Sequence, residues 1–203
     1  MTICLVTDRR RSDPVAQARA AAAAGVDLIQ VRERDLDGGP LAALVRAVLA
    51  AVRGSSTRVV VNDRLDVALA CGADGVHLRA DSIPVADARR ARAVGFLVGR
   101  SVHGPEEAAA ADGADYLIAG TVFPTDSKPG AASHLGEDGL RRVVAAARAP
   151  VLAIGGISVD TSSVVAKTGA AGIAAIGLFR APDSLGDLAR ALRSRFDSIK
   201  RAP

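Results

Sequence analysis

The sequence predicts an α/β fold, a (β/α)8 TIM barrel built as a single domain over 1–203. Three observations carry this expectation. Short apolar, β-branched runs alternate with alanine-rich helical stretches, the pattern of βαβ units on a parallel sheet. The unit recurs eight times within 203 residues, near the lower size limit of the barrel. Polar groups recur at the ends of the strands, on the face where such barrels place their chemistry. A doubly wound open sheet is the structural alternative, but it does not require eight units, and no GxGxxG follows the first strand.

The elements follow in order. Ile3 to Val6 is an apolar run ending at Thr7-Asp8. Asp13-Pro14 then starts a helix, with aspartate as cap and proline in the first turn, and the helix runs to Gly25. A strand over 26–32 comes next, then a helix near 40–53, a strand over 59–61, a helix near 65–72 and a strand over 75–78. Helices near 84–94 and 105–112 flank a strand over 96–102, and a strand over 116–119 leads into a long loop. The chain closes with helices near 137–148, 158–168 and 183–198, separated by strands over 151–154 and 172–176.

Composition narrows the function. The chain is 49% apolar and 24% charged, ordinary for a soluble globular protein. No run approaches the roughly 20 apolar residues of a membrane helix. The first ten residues run from apolar to charged, the reverse of a secretory signal, so a cytoplasmic enzyme is expected. Cys4 and Cys71 sit in apolar runs without metal spacing and read as buried structural thiols. The net charge of +4 comes from scattered arginines, and with one Tyr, four Phe and no Trp there is little to stack on bases; nucleic acid is not an expected partner. Arg9-Arg10-Arg11 reads as a solvated or anion-attracting loop.

The strand ends gather the candidates. Gln30, Arg32 and Arg34 end or follow the second strand, Asn62 and Asp63 the third, and His77 the fourth. Ser101 and His103 end the fifth strand, where a histidine can serve as acid and base in turn. Gly155-Gly156 and Ile176-Gly177 follow the seventh and eighth, where barrel loops cradle phosphate on backbone amides. Thr125, Ser127 and Lys128 lie in the long glycine-bounded loop and can ligate an anion or close over substrate. His134 reads as solvated. Asp63, with Asp81 from the next loop, offers carboxylates to a metal, although Arg34 and Arg64 can equally neutralise Asp63.

Taken together, Gln30-x-Arg32-x-Arg34, Val61-Asn62-Asp63-Arg64, Gly75-Val76-His77-Leu78, the loop from Gly120 to Lys128 and Ile154-Gly155-Gly156-Ile157 resemble the thiamine phosphate synthase/TenI superfamily over nearly the whole chain. The resemblance implies a (β/α)8 barrel of thiamin biosynthesis with one of two activities. A synthase joins hydroxymethylpyrimidine diphosphate to thiazole phosphate with Mg2+ and releases pyrophosphate. A TenI-type tautomerase aromatises a thiazole carboxylate phosphate without metal.

The synthase motif after the fourth strand resembles His-Leu-Gly-Gln-Glu-Asp-Leu-Pro, whose aspartate binds magnesium. Here His77-Leu78-Arg79-Ala80-Asp81-Ser82-Ile83-Pro84 places serine there and arginine for the glycine. Synthases also usually have lysine where Arg34 stands and serine where Gly177 stands. Gly99-Arg100-Ser101-Val102-His103 and Ser127-Lys128-Pro129-Gly130 look tautomerase-like.

The resemblance therefore implies a thiazole tautomerase, with the synthase as alternative. In that reading the substrate phosphate sits on Gly156 and Ile176-Gly177. His103 moves the ring C2 proton to the exocyclic carbon, Arg32 or Lys128 holds the carboxylate, and no cofactor is needed. In the synthase alternative Gln30, Asn62 and His77 line a pyrimidine pocket, and Asp63 and Asp81 are the available metal ligands. A non-catalytic thiazole phosphate binder is a third reading. The expected partner is a small-molecule thiazole phosphate, and a homodimer is compatible with this class of barrel.

Overall fold

Short strands that are apolar on both faces, joined by helices, bury both faces when the sheet closes on itself, and the chain adopts that closure. The structure is a computed structural model describing residues 1–91, 95–125 and 134–200. Its elements are β1 (Thr2–Val6), α1 (Pro14–Ala23), β2 (Leu28–Val31), α2 (Gly38–Ala51), β3 (Arg58–Asn62), α3 (Leu65–Cys71), β4 (Gly75–Leu78), α4 (Val85–Arg90), β5 (Leu97–Val102), α5 (Pro105–Ala110), β6 (Tyr116–Gly120), α6 (Gly136–Ala146), β7 (Val151–Ile154), α7 (Val159–Lys167), β8 (Gly172–Ala175) and α8 (Leu185–Lys200). The strands are parallel and close in sequence order, β8 pairing with β1 from Thr2 opposite Gly172 to Leu5 opposite Ala175.

The expected eight units are therefore present, with boundaries moved by a few residues. Two 3-10 turns, Gly177–Phe179 and Pro182–Ser184, come before α8, which starts later than 183. The helix expected over 84–94 ends at Arg90, and residues 92–94 lie outside the described residues.

Alternation sorts the strand side chains into two apolar layers. Cys4, Val6, Leu28, Val60, Tyr116, Ile118, Leu152 and Ala174 fill the barrel. Ile3, Leu5, Ile29, Val31, Val59 and Val61 point outward under the helices. Fully burying each such side chain is worth about 1.5–3 kcal/mol, which offsets the ordering of helices too short to persist alone, such as the six-residue α4 and α5.

The N-terminal face is tied by a recurring device. Asp27, Asp74 and Asp115 each stand just before an even-numbered strand. Each accepts, through Oδ2, a 2.7 Å hydrogen bond from the amide of Ile3, Val59 or Val98 on the preceding strand. Their own amides donate back to the carbonyls of the same three residues. Before β8 the equivalent residue is Ala171, which keeps the backbone bond to Val151 O at 2.8 Å but has no carboxylate to complete the pair.

Candidate active site

A cavity of about 750 Å³ opens at the C-terminal ends of the strands. Gln30, Arg32, Arg34, Asn62, His77, Ser101, His103, Thr125, Gly155, Gly156, Ile176 and Gly177, all expected site residues, line it. Ser127 and Lys128 lie outside the described residues.

The floor is a row of polar side chains from adjacent strands. Asn62 and His77 are register partners across β3 and β4, and Gln30 Nε2 donates to Asn62 Oδ1 at 2.9 Å. His77 is buried, its Nε2 2.9 Å from Ser101 Oγ and its Nδ1 3.2 Å from the Tyr116 hydroxyl. In a neutral imidazole one nitrogen donates and the other accepts, and both hydroxyls can answer either role. Burial, reinforced by the charges of Arg32 and Arg100, pushes the His77 pKa down to about 3. The ring is thus a fixed neutral hydrogen-bonding surface. Gly99 makes the arrangement feasible, because a Cβ there would lie 2.2 Å from Tyr116 Cζ and 2.6 Å from His77 Nδ1.

Two arginines stand over this floor beside β2. The buried Glu33 carboxylate accepts from Thr7 Oγ1 at 2.6 Å and from the Arg9 amide, and Thr7 Oγ1 in turn accepts from the Arg32 amide at 3.0 Å. This network fixes the loop that carries Arg32 and Arg34. Burial, and then the neighbouring charge of Arg34, lower the Arg32 pKa; Arg79 adds to the repulsion. Neither Arg32 nor Arg34 has an ion-pair partner among the described residues; Asp8 and Glu33 lie near enough to offset part of the Arg32 charge, and both guanidinium groups line the cavity.

On the other side of β1 from these arginines, the turns after β7 and β8 form a second cationic seat. Gly155 and Gly156 take φ of +100° and +64°, which favours glycine, and a Cβ on Gly156 would lie 2.5 Å from the Pro124 carbonyl. These glycines thus bring the 120–125 loop against the β7 turn while keeping backbone at the cavity wall. Ser158 caps α7 in a capping box with Thr161. Arg180, which sequence reasoning missed, lines the cavity beside Gly177 without an ion-pair partner among the described residues.

His103 lies just beyond β5, half-exposed at the rim. Its Nδ1 is 3.1 Å from Glu107 Oε2, and its amide donates to the same oxygen at 2.9 Å. His134 is exposed, as expected. The Arg9-Arg10-Arg11 run is not an open anion trap, because Arg9 and Arg10 pair with Asp35, and Arg11 pairs with Asp8. Cys4 is buried but Cys71 only partly so.

Asp63 is neutralised by neither Arg34 nor Arg64, whose partner is Asp66. The cation beside it is Arg79, at 3.6 Å from Asp63 Oδ2, and the same guanidinium pairs with Asp81. Asp63 Oδ1 is buried without a hydrogen-bond partner. Among the described residues no group of three or more His, Cys, Asp or Glu side chains is placed to hold a metal ion. With serine in place of the family's magnesium-binding aspartate and a guanidinium between Asp63 and Asp81, these residues do not fit the magnesium site that the resemblance implies.

The chain matches the family model described as thiamine monophosphate synthase over residues 3–179. It is 42% identical to the thiamine-phosphate synthase of Methanoculleus marisnigri, across 90% of this chain and 88% of that one. It is 46% identical to the protein of the same name from Anaeromyxobacter dehalogenans, across 81% and 75% of the two chains. The solved thiamine phosphate pyrophosphorylase from Pyrococcus furiosus superposes with a TM-score of 0.85 at 35% identity, covering 98% of this chain and 96% of that one.

These findings overturn the tautomerase expectation: the relatives carry the synthase name, which was the alternative. The motif at 99–103 does not by itself separate the two activities: its serine bonds His77 in the cavity floor, and its histidine lies at the rim beside Glu107. The proton-shuttle role given to His103 belonged to the tautomerase reaction and goes with it. Fold, cavity and sequence similarity converge, and the chain belongs to the thiamine monophosphate synthase family.

Proposed function

We propose that this protein is a thiamine-phosphate synthase that joins hydroxymethylpyrimidine diphosphate to thiazole phosphate and releases pyrophosphate. The observation that carries the reading is the pair of separate cationic seats on one cavity, Arg32 and Arg34 by β2 and Arg180 by β8. Two phosphorylated substrates need two such seats, and the paired arginines by β2 match the charge of a diphosphate better than that of the single carboxylate a tautomerase would hold there.

In this reading the diphosphate lies against Arg32 and Arg34. The flat aminopyrimidine rests on Gln30, Asn62, neutral His77 and Ser101, and Thr125 borders the same space. The thiazole phosphate occupies Gly155, Gly156, Ile176, Gly177 and Arg180. The C–O bond to the diphosphate breaks with its electron pair leaving on pyrophosphate, and the thiazole nitrogen lone pair forms the new C–N bond. The protein's contribution is to hold the two reactants in line and to stabilise the charge developing on the leaving group.

The test is formation of thiamine phosphate from the two substrates, followed by fluorescence after oxidation. Product above the enzyme-free control supports the reading; none, with or without Mg2+, sinks it.

A further inference from the structure

The place where the resemblance implies a magnesium ion is organised around a side chain instead. We propose that Arg79 is a built-in cation that substitutes for the metal and binds the diphosphate directly, so that the leaving group is held without a divalent ion. This rests on the synthase reading above.

Four observations carry it. The Arg79 guanidinium lies between two carboxylates, 3.6 Å from Asp63 and paired with Asp81, while lining the cavity. That reproduces the topology of a bound metal, a cation held from behind by aspartates with its outer face toward substrate. A guanidinium has five N–H donors in a planar fork, enough to satisfy both carboxylates and still meet phosphate oxygens.

Second, its loop is fastened. Arg100 on β5 donates to the carbonyls of Ala80 at 2.8 Å and Ile83 at 2.6 Å. On the other side, Asp63, in the left-handed region at φ +64°, is anchored to β4 by its amide donating to His77 O at 2.9 Å. Third, Ser82, at the place of the family's magnesium-binding aspartate, borders a separate surface depression rather than the main cavity. Fourth, Arg79 is close enough to Arg32 to oppose its charge, so Arg32, Arg34 and Arg79 form one cluster on the diphosphate side. A divalent ion at Asp63 would have to join that cluster against like charge.

The experiment is calorimetric titration of inorganic pyrophosphate into the full-length protein in EDTA and again with excess Mg2+. It covers wild type, Arg79→Gly, Arg79→Gln and the Arg79→Gly/Ser82→Asp double variant, with thermal melts to confirm that each is folded. Wild type is expected to bind in EDTA, with Mg2+ changing the affinity by no more than about 2-fold. Both single variants are expected to lose about 10- to 100-fold, the worth of one charge-assisted contact. The double variant should bind only with Mg2+.

Wild-type binding that requires Mg2+ overturns the proposal and leaves Asp63 Oδ1 as a metal ligand; Arg79 variants that bind normally in EDTA overturn it too, and leave the diphosphate to Arg32 and Arg34 alone. Product assays on the same samples separate the two readings. Metal-free pyrophosphate binding through Arg79 with no thiamine phosphate formed under any condition upholds the seat and overturns the synthase. Product formed only with Mg2+ upholds the synthase and overturns the metal substitution.

Discussion

Lowering the pH should destabilise this barrel through His77, and the size of the effect follows from its surroundings. The ring is 1% exposed, bonded to Ser101 and Tyr116, and faced by the charges of Arg32 and Arg100. Its pKa falls to about 3 in the folded state, against about 6.5 in an unfolded chain. Between those values the unfolded chain holds a proton that the native state refuses, so stability rises with pH. The contribution is complete above about pH 6.5 and is lost as pH falls toward 3, at about 1.4 kcal/mol per pH unit. From pH 7 to about pH 5 this amounts to about 2 kcal/mol. Urea unfolding of wild type and His77→Gln at both values isolates the term, because carboxylates titrate alike in the two proteins. Wild type should lose about 2 kcal/mol more than the variant over that interval. Parallel losses, or an imidazole proton resonance of His77 that titrates near pH 6, would refute the assignment of a neutral, locked ring.

Other expectations follow from single contacts. Gly99→Ala forces a methyl into the Tyr116 and His77 rings and should cost about 1–3 kcal/mol, lowering Tm by about 2–12 °C in a melt followed by circular dichroism. Asp74→Ala strands the Val59 amide and should cost about 1–3 kcal/mol with little change in kcat, measured by urea unfolding and steady-state kinetics. Arg180→Ala should raise KM for thiazole phosphate by about 10-fold while sparing KM for the pyrimidine diphosphate, and Arg34→Ala should do the reverse. Equal effects of both variants on both substrates would erase the distinction between the two seats.

Most of the barrel was legible because its signals are local. Asp13 before Pro14 caps α1 by accepting from the Val15 amide, and the apolar runs at 75–78 and 151–154 are strands to the residue. The polar strand ends were legible too, since period-two alternation sends Gln30, Asn62 and His77 into one interior. What could not be read is who meets whom across the barrel. Arg79 and Arg180 are loop arginines among many, and only closure of the sheet turns them toward the cavity. Glu33 sits between two conspicuous arginines with nothing local to single it out, yet it is buried as the acceptor of Thr7. The histidine at 103 had the right neighbours in sequence, but its contact with Glu107, four residues on, depends on the turn into α5. The Gly-x-Asp triplets ending at Asp27, Asp74 and Asp115 were a readable repeat that went unused.

That repeat divides the barrel into quarters of unequal tightness. Three strand pairs are clasped underneath by a carboxylate, while β7 and β8, with Ala171 in the clasp position, rely on backbone alone. The loosest quarter is therefore the one whose upper turns carry Gly155, Gly156 and Gly177. Amides of β7 and β8 should exchange with solvent fastest among the strands in the empty protein. An anion seated on those turns would bind the quarter from above, so occupancy of the site would stabilise the one strand pair that lacks a carboxylate clasp below. The weakest pair of strands and the proposed thiazole phosphate seat then coincide.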